Sequence, residues 1–235
     1  ILKQITPLFD MIQTPKINLI HGDCMELLRQ TPDNYYSLCI VDPPYQGCDA
    51  IGLINSKGHS AKRTKYKVFD NIRPDQEYFE ELRRVSKNQI VWGGNFFGLS
   101  GGVIAWNKNG TAFGEGEVAI CSTHKSVKFF EFTWNGMIQG NMKDKEVRFH
   151  PTQKPVALYK WLLSNYAKPG DRILDTHGGS MSIAIACYDL GFDLDLTELD
   201  KDYYDAGVAR FERHRAQGQL FHAPATQLPE QQKMF

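Results

Sequence analysis

The chain has 235 residues, of which 42% are hydrophobic, and its 27 Lys and Arg residues balance its 27 Asp and Glu residues. This composition predicts one globular domain without the overall positive charge that many nucleic-acid-binding domains carry. No apolar run is long enough to cross a membrane and no signal peptide is visible, so we expect a cytoplasmic protein. The five scattered cysteines include no C-x-x-C pair, which indicates reduced thiols rather than a zinc site or a disulfide framework.

The first part of the chain predicts a strand, a helix and a second strand in succession. The first strand is Ile17–Ile20, Asp23 caps the helix, and the apolar run from Ser37 to Val41 is the second strand. The same alternation returns between residues 150 and 215. Alternating strands and helices are typical of a doubly wound α/β sheet, which is the fold class that we predict.

The second predicted strand is followed at once by Asp42, Pro43, Pro44 and Tyr45. Two prolines fix the backbone, and ligands bind at the carboxyl ends of strands in such sheets. A flat group with an amine would fit here, because Asp42 and the Pro43 carbonyl can accept its hydrogens while Tyr45 stacks on its ring. None of these residues is a nucleophile, so another molecule would have to supply an electrophile. The alternative is a simple turn, since Pro and Asp are common turn residues.

Three segments depart from the α/β alternation. Residues 46–73 are long, polar and basic, and we predict that they contact a nucleic-acid backbone; the alternative is a solvated surface loop. The basic side chains that would make this contact are Lys57, Lys62, Arg63, Lys65 and Lys67. Residues 107–149 predict a small insertion for substrate recognition, and residues 217–235 predict a flexible tail.

A second candidate site follows the strand that ends at Asp175. The turn that begins at Thr176 contains Gly178 and Gly179, which allow the backbone to approach a ligand closely. Glu198 ends the next strand, where a carboxylate can bind the two hydroxyls of a ribose. Because the turn lacks the G-x-G-x-x-G pattern of dinucleotide-binding folds, S-adenosylmethionine is the better match, and it would also supply the missing electrophile.

These motifs together resemble the circularly permuted, or β-class, amino-methyltransferases of DNA. In that class the Asp-Pro-Pro-Tyr block comes first, the recognition region follows, and the cofactor block comes last. The resemblance implies a single Rossmann-like, S-adenosylmethionine-dependent methyltransferase domain with a mostly parallel mixed sheet and helices on both faces. It rests on Gly22-Asp23 with Asp42 to Tyr45, on His150-Pro151-Thr152-Gln153-Lys154-Pro155, and on Lys168 to Arg210.

The resemblance also implies roles for individual residues. The target base would leave the DNA stack, its amine would bind the catalytic group, and no metal would take part. The catalytic group is Asp42, Pro43, Pro44 and Tyr45. The cofactor group is Asp23 near the adenine, Glu198 at the ribose, Thr152 and Lys154 at the methionine end, and Asp175, His177, Gly178 and Ser180 in the turn.

Asp42 at the first motif position favours adenine N6 as the acceptor of a site-specific DNA methyltransferase. The alternatives are cytosine N4 and a non-catalytic DNA-binding protein that retains the fold. Thr176, His177 and Met181 replace the proline, phenylalanine and last glycine of the commoner family turn. The resulting Asp-Thr-His pattern resembles enzymes of phages and prophages, so the expected setting is a bacterial or phage-infected cell.

The expected partners are DNA and S-adenosylmethionine, and the family analogy implies a homodimer. The end of the tail, with Gln231, Met234 and Phe235, resembles a short peptide that binds a replication clamp. The alternative is a disordered end.

Overall fold

A computed structural model of the protein describes residues 14–45, 73–110, 115–135, 138–143 and 145–222. The predicted DNA contacts Lys57, Lys62, Arg63, Lys65 and Lys67 lie outside these residues, as does the end of the predicted tail from residue 223. Among the described residues, no helix has the length and apolarity needed to cross a membrane.

The described residues form ten strands and five α-helices, in an order that alternates at both ends of the chain. The strands are β1 (Ile17–His21), β2 (Tyr36–Val41), β3 (Ser86–Trp92), β4 (Gly102–Asn107), β5 (Gly116–Cys121), β6 (Val127–Glu131), β7 (Trp134–Asn135), β8 (Ile138–Gln139), β9 (Arg172–Asp175) and β10 (Asp193–Glu198). The helices are α1 (Cys24–Gln30), α2 (Gln76–Val85), α3 (Val156–Tyr166), α4 (Ser182–Leu190) and α5 (Lys201–His222), and Gly94–Phe97 forms a short 3-10 helix.

Eight of these strands form one sheet in the order β1-β10-β9-β2-β3-β5-β4-β6. The strands from β1 to β3 in this order are all parallel, whereas β5 is antiparallel to both of its neighbours. In the strand order, β3 lies on one side of β2, and the later strands β9 and β10 lie on the other side of β2. The boundary between β2 and β9 is therefore a topological switch point, where α/β sheets of this kind bind ligands.

Two apolar clusters cover the two faces of the sheet. One contains Leu158 of α3 and Ile183 of α4, together with Phe211 of α5. The other contains Leu28 of α1 and Leu82 of α2. Helices pack on both faces because the central strands are buried on both sides, as the continuous apolar run of β2 predicts. The predicted fold class is confirmed.

The middle of the chain differs in detail from the sequence prediction. Residues 107–149 were predicted to be an insertion, but they contribute β5 and β6 to the main sheet, and only β7 and β8 form a separate pair. The role of the segment in target recognition stays a prediction. The tail was predicted to begin at residue 217, whereas α5 continues to His222.

Candidate active site

Four carboxylates lie along one edge of the sheet, at the carboxyl ends of four neighbouring parallel strands. In sheet order they are Asp23, two residues after β1, Glu198 at the end of β10, Asp175 at the end of β9, and Asp42 directly after β2. We call these four residues the carboxylate row. The two halves of the predicted site, which the sequence separates, are thus brought together at the switch point.

The Asp42 end of the row contains the predicted amine pocket. Oδ1 of Asp42 is buried and has no hydrogen-bond partner among the described residues. Tyr45 packs against Gly93, where an added Cβ would lie 2.4 Å from the ring, and it stacks on Phe96 with 4.9 Å between ring centroids. Gly93 has φ +63°, so both its conformation and its lack of a side chain are needed here. A hydrogen-bond acceptor without a partner can bind the amine of an aromatic base, and an aromatic ring can stack on the base.

The other oxygen of Asp42 belongs to a chain of alternating charges. Lys154 Nζ lies 2.5 Å from Asp42 Oδ2 and 3.0 Å from Glu117 Oε2. Lys108 Nζ pairs with the other carboxylate oxygen of Glu117. The Lys154 side chain is only 3% exposed and also lies over the Trp92 ring, 5.2 Å from its centroid. We call Asp42, Lys154, Glu117 and Lys108 the charge chain.

The charge chain sets the ionisation of its members. Burial alone would lower the pKa of Lys154, but the carboxylates of Asp42 and Glu117 outweigh it and raise that pKa. Burial would likewise raise the pKa of Glu117, yet the two lysines hold it at about 2. Burial raises the pKa of Asp42, and the Lys154 ammonium limits the rise. The Lys154 ammonium therefore favours the anionic form of Asp42, whose Oδ1 has no partner among the described residues.

The glycine turn after β9 approaches β10 closely. A Cβ on Gly178 would lie 2.3 Å from the Leu196 side chain, so this position excludes any larger residue without repacking. Glu198 holds the turn from the other side: its Oε2 accepts from the Gly179 amide at 2.7 Å, and its Oε1 accepts from the Asp200 amide at 2.8 Å. Each oxygen keeps a lone pair, so the carboxylate can also bind hydroxyls.

Met181 takes the place of the last glycine in the commoner family turn and retains a left-handed conformation, with φ +57°. This conformation costs a residue with a side chain about 1–2 kcal/mol. Burial of the Met181 side chain offsets the cost, since the side chain is fully buried against α5. Gly207 provides the space, because a Cβ there would lie 2.8 Å from Met181 Cγ.

The segment from His150 to Pro155 connects the two ends of the site. At its start, the His150 ring packs on Tyr203, with 4.3 Å between centroids, and lies 3.4 Å from where a Cβ on Gly179 would be. Thr152 is exposed, and its Oγ1 lies 3.2 Å from His150 Nδ1. Further along, Lys154 reaches Asp42. The structure thus brings this motif to the glycine turn and to the amine pocket together.

The remaining predicted site residues lie around the same edge. Asp23 caps α1, where its Oδ1 accepts from the Met25 amide at 2.9 Å. Ser180 is buried, with its Oγ 3.0 Å from Ser182 Oγ. Burial lowers the pKa of His177 to about 4, so the imidazole is neutral near pH 7. A neutral, half-buried ring agrees with a packing role rather than acid–base catalysis.

Comparison with known proteins identifies the family. The N6/N4-methyltransferase family model, described as DNA methylase, matches residues 54–209, more than half of the chain. The chain belongs to this DNA methylase family. The predicted family and enzyme class are confirmed, whereas the permuted class and the phage origin stay predictions.

The relatives of this DNA methylase are distant in sequence. The DNA adenine methyltransferase YhdJ of Escherichia coli K12 is 23% identical over 83% of this chain and 82% of its own length. Two solved structures share the fold. The M1.HpyAVI complex with SAM has a TM-score of 0.53 at 18% identity and covers 83% of this chain and 99% of its own. The cytosine-N4-specific PvuII DNA methyltransferase has a TM-score of 0.58 at 13% identity and covers 86% and 91%.

Sequence reasoning missed two members of the methylase site. Glu117 is the second residue of β5 and Phe96 lies in the short 3-10 helix, and the sequence analysis gave neither a role in the site. Lys108 lies in the predicted insertion and likewise had no role in the site. A polar residue at the start of an otherwise apolar strand was the only local signal for Glu117.

Asp175 gives the methylase a testable pH dependence. Burial raises the pKa of its carboxyl group from 3.8 to about 8, although its Oδ1 accepts from the His177 amide at 3.0 Å. Because the folded-state pKa is the higher one, the unfolded chain releases this proton first, and stability is lost as the pH rises from about 4 to about 8. Asp175→Asn keeps the amide acceptor and removes the titration.

We therefore expect Asp175→Asn to raise the melting temperature relative to the parent protein, with a gap that widens by more than about 4 °C between pH 5 and pH 8. Thermal unfolding of both proteins, followed by circular dichroism at the two pH values, measures this gap. An equal gap at both pH values would contradict the assignment.

Proposed function

We propose that this DNA methylase transfers a methyl group from S-adenosylmethionine to the N6 amine of adenine at a specific DNA site. The observation that carries the proposal is Oδ1 of Asp42, a buried acceptor without a partner among the described residues, three residues before Tyr45 in the chain. The printed name of the Escherichia coli relative, a DNA adenine methyltransferase, supports adenine as the base.

The catalytic residues act by binding and orienting the amine. Once the base has left the stack, its amine donates one hydrogen to Asp42 Oδ1 and the other to the Pro43 carbonyl, while Tyr45 stacks on the ring. These bonds favour a pyramidal nitrogen with its lone pair exposed. Positive charge develops on the nitrogen during transfer, and the anionic Asp42 stabilises it without acting as a strong base.

The carboxylate row fits the cofactor. S-adenosylmethionine supplies an electrophilic methyl group, and it carries both a sulfonium and an ammonium charge. Asp42 provides negative charge at the switch point, Asp175 can accept a hydrogen bond there, Glu198 can accept from ribose hydroxyls, and Gly178 leaves the turn open to close approach. Asp23, Thr152, His177 and Ser180 complete the proposed cofactor site, and Lys154 acts through Asp42 at the methyl-transfer end.

Recognition of DNA is proposed for two segments of the chain. The basic residues Lys57, Lys62, Arg63, Lys65 and Lys67 would bind phosphates, and residues 107–149 would read the target sequence. A cytoplasmic location, a homodimer and a clamp contact through the tail are further parts of the proposal. They are supported, in turn, by the lack of a long apolar run or visible signal peptide, by the family resemblance, and by the likeness of the tail to a clamp-binding peptide.

Cytosine N4 is the second candidate acceptor, because cytosine presents its amine in the same way. The similarity of the fold to a cytosine-N4-specific methyltransferase favours keeping this candidate. A non-catalytic DNA-binding protein is the third. The intact Asp42 and Tyr45 argue against it, since neither would be needed for DNA binding alone.

Mass spectrometry of nucleosides tests the proposal. DNA is incubated with the protein and S-adenosylmethionine, digested and analysed, and calorimetry measures cofactor binding in parallel. We expect N6-methyladenine. N4-methylcytosine instead would identify the second candidate, and cofactor binding without either product would favour the non-catalytic reading. Absence of cofactor binding would contradict the proposal as a whole.

A further inference from the structure

Glu117 holds a position that the proposed chemistry makes important, although it lies outside the motifs of the site. It is 75 residues along the chain from Asp42 (117 − 42 = 75) and reaches the site from β5, the antiparallel neighbour of β3. Its carboxylate touches two ammonium groups, those of Lys154 and Lys108, and it does not touch Asp42. Glu117 therefore acts on Asp42 in two ways: through Lys154, which contacts both carboxylates, and through its own negative charge, which helps to raise the pKa of Asp42.

The geometry of Lys154 shows what Glu117 can do. The ammonium lies between two carboxylates, 2.5 Å from Asp42 Oδ2 and 3.0 Å from Glu117 Oε2. An ammonium next to a single carboxylate is attracted to both of its oxygens. The second contact, with Glu117, holds the ammonium at Oδ2, and Oδ1 has no partner among the described residues.

We propose that Glu117 is a positioning residue for methyl transfer, which acts through Lys154 to keep Oδ1 of Asp42 available to the target amine. This inference rests on the proposed function for its catalytic consequence. Its electrostatic part does not: Glu117 also contributes to the raised pKa of Asp42, so its removal lowers that pKa whether or not the protein methylates DNA. Lys108 completes the arrangement by pairing with Glu117 and balancing the charge.

The chemical consequence concerns the competition for Oδ1. When Glu117 is neutral, Lys154 pairs with Asp42 alone and can move between its two oxygens. The ammonium then occupies the acceptor that the amine needs, and the stronger pairing makes Asp42 a weaker acceptor. The cofactor side of the site is not involved, because Glu117 contacts none of Asp175, Gly178 or Glu198 in the described contacts.

The test compares Glu117→Gln with Glu115→Gln, a matched change of an exposed acid two residues earlier. We expect Glu117→Gln to lower the single-turnover rate of methyl transfer roughly tenfold at saturating cofactor, with cofactor affinity unchanged within about twofold. Glu115→Gln should match the parent protein in both quantities. An unchanged rate in Glu117→Gln, or a loss that comes from weaker cofactor binding, would overturn the proposal.

A second readout does not depend on turnover. Carbon-13 NMR of the aspartate carboxyl groups, with Asp42 assigned through Asp42→Asn, gives the pKa of Asp42 in each protein. We expect a lower pKa in Glu117→Gln than in the parent and no change in Glu115→Gln; an unchanged pKa in both would overturn the inference. If the parent protein forms no methylated nucleoside, the proposed function fails, and the NMR result still decides the role of Glu117.

A charge-balanced variant serves as the control for a loss of stability. Glu117→Gln leaves Lys108 and Lys154 without a shared carboxylate, which can impair folding. The double variant Glu117→Gln with Lys108→Gln removes one charge of each sign and leaves the pair of Lys154 and Asp42. We expect the same direction of change in rate and in the pKa of Asp42. A double variant with the rate and pKa of the parent would overturn the proposal.

Discussion

We expect Asp42→Ala to lower the single-turnover rate of methyl transfer by about 10³-fold, because the substitution removes the acceptor that binds the amine and stabilises its developing charge. Cofactor affinity should change by less than about threefold, since Asp23, Asp175 and Glu198 remain. The fold should persist, because Lys154 keeps its contact with Glu117 at 3.0 Å. Rapid-quench assays with tritiated S-adenosylmethionine and calorimetry measure the two quantities.

Asp205→Ala is the matched control for this variant. Asp205 lies on α5, is 57% exposed and pairs with Lys201 on the surface, so its removal should leave the rate unchanged. An Asp42→Ala rate within tenfold of the parent would show that the amine binds elsewhere, and it would remove the main support for the proposed mechanism.

The second large effect concerns stability. We expect Lys154→Met to lower the free energy of unfolding at pH 7 by about 3 kcal/mol, because Asp42 and Glu117 are left near each other without the ammonium between them. Both carboxylates then have raised pKa values in the folded state. Stability should therefore fall as the pH rises above about 4, where the unfolded chain ionises first.

Urea unfolding at pH 4.5 and pH 7 measures this loss and its pH dependence. Lys160→Met is the control, since Lys160 is 42% exposed and pairs with Asp189 on the surface. Its effect should stay within about 0.5 kcal/mol at both pH values. A Lys154→Met variant as stable as the control would mean that the charge chain does not form in solution.

The two substitutions test two different roles within the charge chain. Asp42 is proposed to touch the amine, whereas Lys154 sets the charge and orientation of Asp42 from the protein side. A loss of rate with normal stability in Asp42→Ala, together with a loss of stability in Lys154→Met, would be the expected pattern. Equal losses of stability in both would indicate that the pair has only a structural role.

Local sequence determined the elements and their ends. The apolar run before Asp42 predicted a buried strand, and β2 ends at Val41. Aspartate is favoured at helix caps, and Oδ1 of Asp200 accepts from the amides of Asp202 and Tyr203. Glycine is favoured just after a helix, and Gly191 ends α4 with φ +78°. These features depend on interactions within a few residues, so the chain carries them in its local pattern.

Where two local signals compete, the residue at which a helix begins differs from the one that a single signal indicates. Pro74 is suited to the first position of a helix, but α2 begins at Gln76, with Asp75 as its cap. The Asp75 side chain accepts from the Tyr78 amide at 3.0 Å, a bond that proline cannot provide. Similarly, α3 begins at Val156, one residue after Pro155. A proline next to a helix start marks the region without fixing the residue.

The sequence predicted some residues of the site but not the contacts between them. The motif resemblance selected Asp42, Asp175 and Glu198, and the strand order places them at neighbouring strand ends, because parallel strands present their carboxyl ends at one edge. The contact between Lys154 and Asp42 joins residues 112 positions apart. No local pattern encodes such a distance, and Lys154 was assigned to the cofactor instead.

The role of Glu117 was even harder to predict from the sequence than that of Lys154. Its importance comes from the placement of β5 beside β3 and from the lysine that arrives with α3, and both depend on how the whole sheet is assembled. The sequence by itself determined the family and the fold class, and it predicted the residues that would bind the amine. Only the tertiary structure decided which charges surround them, because burial and long-range pairing, rather than residue type, set the ionisation of a carboxylate.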